Sequence, residues 1–209
     1  MIIRSKAPLR LGIAGGGTDL DIYANQYGGA VLNATINLYA HVTIETEVDS
    51  SLVIFEAYDL DETDSISELS ECLCDRKLQL HKMVYHHFVT TYNSSKYIPL
   101  KVSTSIDVPA GSGLGGSSTL VVAMIAAFRQ LFNAPLGDYD MAALAHHIER
   151  KMCSLSGGKQ DQYAATFGGF NFMEFHKDRV VINPLRIRRY IQAELEDNLV
   201  LFYCGASRS

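Results

Sequence analysis

Residues 109–118 read Pro109-Ala110-Gly111-Ser112-Gly113-Leu114-Gly115-Gly116-Ser117-Ser118, and the rest of the chain is best read outward from them. Four of the six residues from Gly111 to Gly116 are glycine. That many glycines is costly in chain entropy unless backbone must approach something closely. Residues 100–106 upstream read as a strand, and residues 117–132, SSTLVVAMIAAFRQLF, read as an almost wholly apolar helix buried on most sides. A glycine loop that opens a helix presents free N–H groups and the positive end of the helix dipole, which together suit a polyphosphate. An ordinary tight turn would need only one or two of these glycines.

Two commoner phosphate loops have to be distinguished from this one. The GxxxxGK[ST] lysine of a Walker A motif is missing, and Ser117 and Ser118 stand where it would be needed. Gly111-x-Gly113-x-x-Gly116 does match the dinucleotide fingerprint, and it follows a strand and opens a helix. That fingerprint also requires a second parallel strand after the helix, with an acidic residue for the ribose about 20 residues on. Here a second helix follows instead, with Asp138 and Asp140 at its beginning. The context therefore speaks against a Rossmann-type dinucleotide-dependent oxidoreductase, which stays as the second reading.

The remaining segments sort by their period. Residues 38–48, LYAHVTIETEV, set Val42 and Ile44 opposite Thr43 and Glu45, the alternation of a half-buried strand. Residues 52–55 read as another strand. Leu80, Val84, Phe88 and Tyr92 fall at helical spacing, so an amphipathic helix is expected over 77–92. A third helix carries Met141, Leu144, Ala145, Ile148 and Met152 on one stripe, with Asp138 or Asp140 placed to cap its start. Strands dominate early and helices late, which predicts an α+β domain rather than a regular βαβ winding.

A chain of 209 residues with 47% apolar content is long enough to bury a sizeable core. Its net charge of −5 provides no broad basic surface, which argues against nucleic acid as a partner. The first residues, MIIRSKAPLRLGIAGGG, contain one short apolar run broken by Arg4, Lys6 and Arg10. That run is neither a signal sequence nor a membrane span, so a cytoplasmic protein with no membrane partner is expected. Cys72, Cys74, Cys153 and Cys204 form no CxxC pair and read as buried thiols rather than disulfides or zinc ligands. The adjacent pairs His86-His87 and His146-His147 point about 100° apart on a helix and read as surface or half-buried side chains.

Two further segments bear on the same chemistry. Arg10 leads through a short apolar stretch into Gly15-Gly16-Gly17-Thr18-Asp19, so a cation and a carboxylate lie nine residues apart across a strand and a glycine turn that could grip a hydroxyl-rich ligand. Beyond the third helix, Gly157-Gly158-Lys159-Gln160-Asp161-Gln162 places a carboxylate after a flexible glycine pair, and Gly168-Gly169 closes the segment. Each alone reads as an ordinary polar turn.

Taken in this order, Pro8-Leu9-Arg10 through Asp19, PAGSGLGGSS, and GGKQDQYAATFGG resemble the three motifs of the GHMP kinase family, and the likeness spans almost the whole chain. The resemblance implies the family's N-terminal domain, which is similar to the second domain of ribosomal protein S5, over residues 1–185. It implies the start of an incomplete ferredoxin-like C-terminal domain over 186–209, with residues 199–209 beginning on a buried-looking strand, so that residues 1–209 by themselves are expected to be weakly active or inactive. It implies an ATP-dependent sugar kinase that uses Mg²⁺, with a sugar or sugar phosphate as partner and a homodimer left open. Position by position, Pro109 and Gly111 to Ser118 (Gly111, Ser112, Gly113, Leu114, Gly115, Gly116, Ser117, Ser118) would cradle the triphosphate. Ser117, which opens the helix, and Glu149 would hold Mg²⁺, although Glu149 alone reads equally well as a solvated helix charge. Asp161 would be the catalytic aspartate with Arg10 beside it, and Gly17, Thr18, Asp19 and Lys159 would contact substrate. Gly-Gly-Gly-Thr-Asp replaces the Gly-Glu-His-x-Asp form common in galactokinase, which argues against galactose. GIAGGGTD, GSGLGGSS and ATINLYAHVTIE are most similar to the branch of the family that phosphorylates D-glycero-D-manno-heptose 7-phosphate at the anomeric hydroxyl. Lys159, Arg10 and Arg208 are the candidate cations for its phosphate. Other GHMP small-molecule kinases, of fucose, galactose or mevalonate type, and a non-catalytic nucleotide sensor remain alternatives.

Overall fold

The computed structural model describes residues 1–48, 50–74, 76–200 and 202. One mixed sheet forms the frame. Its strands are β1 (Ile2–Ala14), β2 (Gly29–Glu45), β3 (Val53–Ala57), β4 (Glu62–Ile66), β5 (Lys101–Ile106), β6 (Phe170–Phe175) and β7 (Val180–Pro184), joined in the order β4-β3-β5-β2-β6-β7 with β1 paired to β2. Every pairing is antiparallel except β3 with β5. The helices are α1 (Asp21–Tyr27), α2 (Gln79–Tyr92), α3 (Gly116–Phe132), α4 (Asp138–His147), α5 (Gln160–Phe167) and α6 (Arg189–Asn198).

β2 organises the sheet. Its first half pairs with β6 and its second half with β5, while β1 follows it from Ile2↔Glu45 to Ala14↔Leu32. The expected strand over 38–48 is thus the end of a 17-residue strand. Pro8 and Arg10 flank a register shift in β1, where proline lacks the N–H that a regular ladder would use.

Helices α2 and α3 lie on the sheet and close the main core. Phe88, Phe128 and Phe132 stack with ring centroids 5.5–6.2 Å apart between the two helices. Val121, Ala123, Met124 and Ile125 are fully buried, as the apolar run of α3 anticipated. A smaller cluster of Ala24, Val31, Tyr163, Met173 and Phe175 anchors α5 to the other end of the sheet.

α4 follows α3 with no strand between them, so the βαβ unit of a dinucleotide fold is not formed. The third helix is shorter than expected. α4 ends at His147 and a π-helical turn, Ile148–Met152, takes over. Asp140 Oδ2 accepts the Gly137 amide at 2.9 Å, the cap anticipated for this helix. Cys72 and Cys153 are buried thiols, while Cys74 is exposed, contrary to expectation, because it ends a surface turn. The strand expected from residue 199 is not formed at the described positions. Leu199, Val200 and Phe202 are exposed and have no partner edge among the described residues. Residues 201 and 203–209, including Cys204 and Arg208, lie outside the described residues.

Candidate active site

β5 runs into the glycine loop, and the loop runs into α3. Gly111, Gly113 and Gly115 have φ of 77°, 77° and 79°. These left-handed residues fold the backbone back on itself before the helix, a path that side chains with a Cβ adopt only at a cost. Gly115 is the N-cap and supplies no side-chain cap, and the first helical bond runs from the Thr119 amide to the Gly115 carbonyl at 2.9 Å. The amides just inside the helix therefore have no intrahelical acceptor, the arrangement that binds anions.

Asp161 comes to the same place from the first turn of α5. A Cβ added to Gly115 would stand 3.2 Å from Asp161 Cγ. Arg10 fixes this approach. Its Nε donates to Asp161 Oδ1 at 2.7 Å, its Nη2 lies 2.6 Å from the same oxygen, and its Nη1 donates to the Gly113 carbonyl at 2.7 Å. The Arg10 amide also donates to the Leu114 carbonyl at 3.2 Å. One guanidinium on β1 thus holds both the carboxylate and the loop, and the charge-assisted geometry gives the contact direction as well as strength.

Glu149 does not sit on a solvated helix face. It is fully buried. The π-helical turn brings it inward, where Oε1 accepts from Ser118 Oγ at 2.9 Å and lies 3.4 Å from Ser117 Oγ. Gln162 donates to its other oxygen and, at 3.0 Å, to Ser118 Oγ. Burial raises the Glu149 pKa above its ordinary value, while the Gln162 hydrogen bond and the Arg150 charge pull it down. Arg150 Nη1 stands 3.9 Å away. Ser118 is buried and Ser117 is exposed towards the cleft.

The proposed substrate segment is built differently from the expectation of free ligating side chains. Asp19 is 6% exposed and accepts the amides of Gly17 (3.1 Å) and Gln160 (2.9 Å), so it ties the glycine turn to the start of α5. Gly158 packs so closely that a Cβ there would fall 1.9 Å from Asp19 Oδ2. Thr18 Oγ1 donates towards the carbonyls of Gly15 (2.7 Å) and Ala30 (3.0 Å) and accepts the Ala30 amide. Lys159 Nζ is paired with Asp21 at 2.8 Å, and this contact lowers the Asp21 pKa. Gly17 is exposed.

A cleft of about 590 Å³ opens beside the loop. One end holds Pro109, Ser117, Arg10 and Asp161, and the other is apolar, with Leu60, Leu78, Ile106 and Val108. The apolar wall and Gln162 carried no sequence signal as site residues. Gln162 could have been suspected only from its place one residue after Asp161.

The chain carries the N-terminal domain of the GHMP kinases: residues 79–169 match that domain, and loop, Glu149 and Asp161 all fall inside the match. Within the family its sequence is 49% identical over 210 residues to the D-glycero-alpha-D-manno-heptose 7-phosphate kinase of Campylobacter jejuni, covering 99% of this chain and 60% of that protein. The crystal structure of a D-glycero-D-manno-heptose 1-phosphate kinase from Bacteroides thetaiotaomicron superposes with a TM-score of 0.87 at 51% identity, over 94% of this chain and 63% of that one. The Methanococcus jannaschii mevalonate kinase shares the fold, with a TM-score of 0.70 at 18% identity over 90% of this chain and 56% of that one. The chain spans about three fifths of the length of the Campylobacter jejuni relative. Among the described residues no helix is long and apolar enough to cross a membrane.

Proposed function

We propose that the protein is an ATP-dependent sugar kinase that transfers the γ-phosphoryl group to the anomeric hydroxyl of D-glycero-D-manno-heptose 7-phosphate, giving the 1,7-bisphosphate. The observation that carries this reading is the Arg10-locked Asp161 carboxylate standing 3.2 Å from a Cβ position on Gly115, at the mouth of α3. The printed functions of the two heptose kinases above supply the acceptor class.

Phosphoryl transfer draws most of its rate from alignment and charge neutralisation. The amides of the loop and of the first turn of α3 bind the phosphates. Pro109 and Leu114 shape the loop around them, and Gly111, Ser112, Gly113, Gly115 and Gly116 let it approach closely. Asp161 accepts a hydrogen bond from the acceptor hydroxyl and takes its proton as the new P–O bond forms and ADP leaves. Arg10 keeps that carboxylate ionised and aimed.

The residues present suit a divalent cation. Glu149 is a buried carboxylate whose hydrogen bonds at Oε1 come from neutral serine hydroxyls, with the nearest guanidinium nitrogen 3.9 Å away. Ser117 and Glu149 would hold Mg²⁺, with Ser118 and Gln162 orienting Glu149. When bound, Mg²⁺ neutralises charge on the β- and γ-phosphate oxygens.

The acceptor lies against Gly17, Thr18 and Asp19, where main-chain groups of the turn and the remaining lone pairs of Asp19 meet sugar hydroxyls, and Lys159 faces its phosphate. We place the protein in the cytoplasm, with the N-terminal domain at 1–185 and a further domain beginning at 186, since α6 carries no buried side chain of its own.

Asp161→Asn tests the reading. ADP release with the heptose phosphate should fall by at least about a hundredfold while the dissociation constant for ATP changes little. Full activity in the variant, or no ADP release from the unaltered native-length protein with any sugar phosphate, refutes it.

A further inference from the structure

The apolar end of the cleft contains one polar group without an evident use. His81, on the first turn of α2, lines the cleft and is only 3% exposed. Its Nε2 lies 2.9 Å from Thr104 Oγ1. Thr104 has a single hydroxyl proton and directs it at the Glu56 carbonyl, 3.2 Å away, so its oxygen is the acceptor of the His81 contact. The proton of the imidazole is thereby assigned to Nε2, and Nδ1 carries a lone pair.

That lone pair has no hydrogen-bond partner among the described residues. Several other buried side-chain atoms share this condition, but none of the others belongs to a residue lining this cleft. Burial alone drives the His81 pKa down to about 4, so the ring is neutral near pH 7 and offers Nδ1 only as an acceptor. The ring is not loose packing. Phe55 meets it edge-on at 6.3 Å, and Thr104 pins the far nitrogen. Leu78, which starts the helix and also lines the cleft, is held at φ 45°, a left-handed conformation unfavourable to leucine. Strain of this kind persists where the surrounding structure needs a particular direction of chain, and here it sets the direction in which α2 leaves the cleft wall.

We infer that His81 reads the nucleobase, with Nδ1 accepting a hydrogen bond from an exocyclic amine and so selecting adenine over guanine nucleotides. The inference rests on the proposed nucleotide cleft and adds the element of specificity. A purine placed between the leucines has its phosphates at the glycine loop and its six-membered ring towards His81. Adenine carries an N–H donor at position 6, and guanine carries a carbonyl oxygen there, which would face the lone pair and leave both acceptors unsatisfied. Leaving a buried acceptor unpaired is more costly than the net gain from the bond itself, so discrimination exceeds what shape alone would give.

The test is calorimetric titration of the protein with three non-hydrolysable triphosphates: the adenine nucleotide, the purine nucleotide bearing hydrogen at position 6, and the guanine nucleotide. The adenine form should bind about tenfold more tightly than the 6-hydrogen form, and the guanine form more weakly still. In His81→Phe, which keeps a ring against Phe55, the gap between the first two should close to within about twofold. Should that variant not fold, ¹⁵N NMR of the imidazole in the unaltered protein decides the point: Nδ1 is unprotonated in the free protein and shifts on binding the adenine nucleotide but not the 6-hydrogen one. Equal affinity for the adenine and 6-hydrogen forms, or a protonated Nδ1, overturns the inference while leaving the nucleotide cleft intact. No binding of any of the three overturns the cleft assignment, and this inference with it.

Discussion

Gly113→Ala and Gly115→Ala make a matched pair that separates backbone strain from the contact on which transfer depends. Both glycines sit at positive φ, 77° and 79°, so each alanine should cost roughly 1–2 kcal/mol for the left-handed conformation. For a domain of this size that lowers Tm by about 2–8 °C in either variant. The two differ in what the new methyl group meets. At Gly113 nothing lies within 4 Å, whereas at Gly115 it stands 3.2 Å from Asp161 Cγ and 3.3 Å from Oδ2. Asp161 cannot yield freely, because Arg10 grips Oδ1 with two nitrogens. Restoring an ordinary carbon–carbon separation requires a shift of about 0.4 Å. If a 1 Å misplacement costs about a hundredfold in rate, that shift should cost about four- to tenfold. Turnover measured as ADP release, beside thermal unfolding of each variant, should show similar stability losses and a further four- to tenfold drop confined to Gly115→Ala, by the same arithmetic. Equal turnover in the two variants would refute the claim that the carboxylate works against the loop at this point.

Arg10→Lys should lower turnover by about ten- to a hundredfold in the same assay, since one ammonium cannot hold both Asp161 Oδ1 and the Gly113 carbonyl, the latter 2.7 Å from Nη1. Glu149→Gln should leave thermal stability at pH 7 unchanged or raise it, because it removes a buried charge, while the Mg²⁺ concentration for half-maximal rate rises about tenfold or more. The folded pKa of Glu149 is raised, so its contribution to stability is complete below the unfolded value of 4.5 and is lost as pH rises through the folded pKa. Unfolding curves from pH 4.5 upward should therefore decline more steeply in the unaltered protein than in Glu149→Gln. His81 has the opposite sign. Its pKa falls from 6.5 to about 4 on folding, so stability is lost as pH drops through that window, on the order of 3 kcal/mol, and His81→Gln should flatten this acid limb.

The glycine loop was legible because its composition, the strand before it and the helix after it agree, and agreement between local signals marks a specified element. The meeting of Asp161 with Arg10 followed from the family likeness, since nothing local in residues 10 and 161 announces a contact across that distance in sequence. Other features escaped for physical reasons. The start of β2 at Gly29 is flanked by strands, so burial there follows neighbours on both edges as well as the period of two. Glu149 read as a surface charge because a regular helix was assumed, and the π-helical turn changes which side chain faces inward. Asp19 was expected to meet substrate with its whole side chain, whereas two backbone amides already occupy it. The ring of His81 showed only as one position of an amphipathic helix, and its tautomer depends on Thr104, a partner from another element.

The most direct measurement is a crystal structure of the protein with Mg²⁺ and a non-hydrolysable ATP analogue. The account requires the triphosphate to lie within hydrogen-bonding distance of the amides between Gly113 and Ser118, with the terminal phosphoryl group facing the Asp161 carboxylate. A triphosphate bound on another surface, or an Asp161 side chain turned away from it, would contradict the assignment.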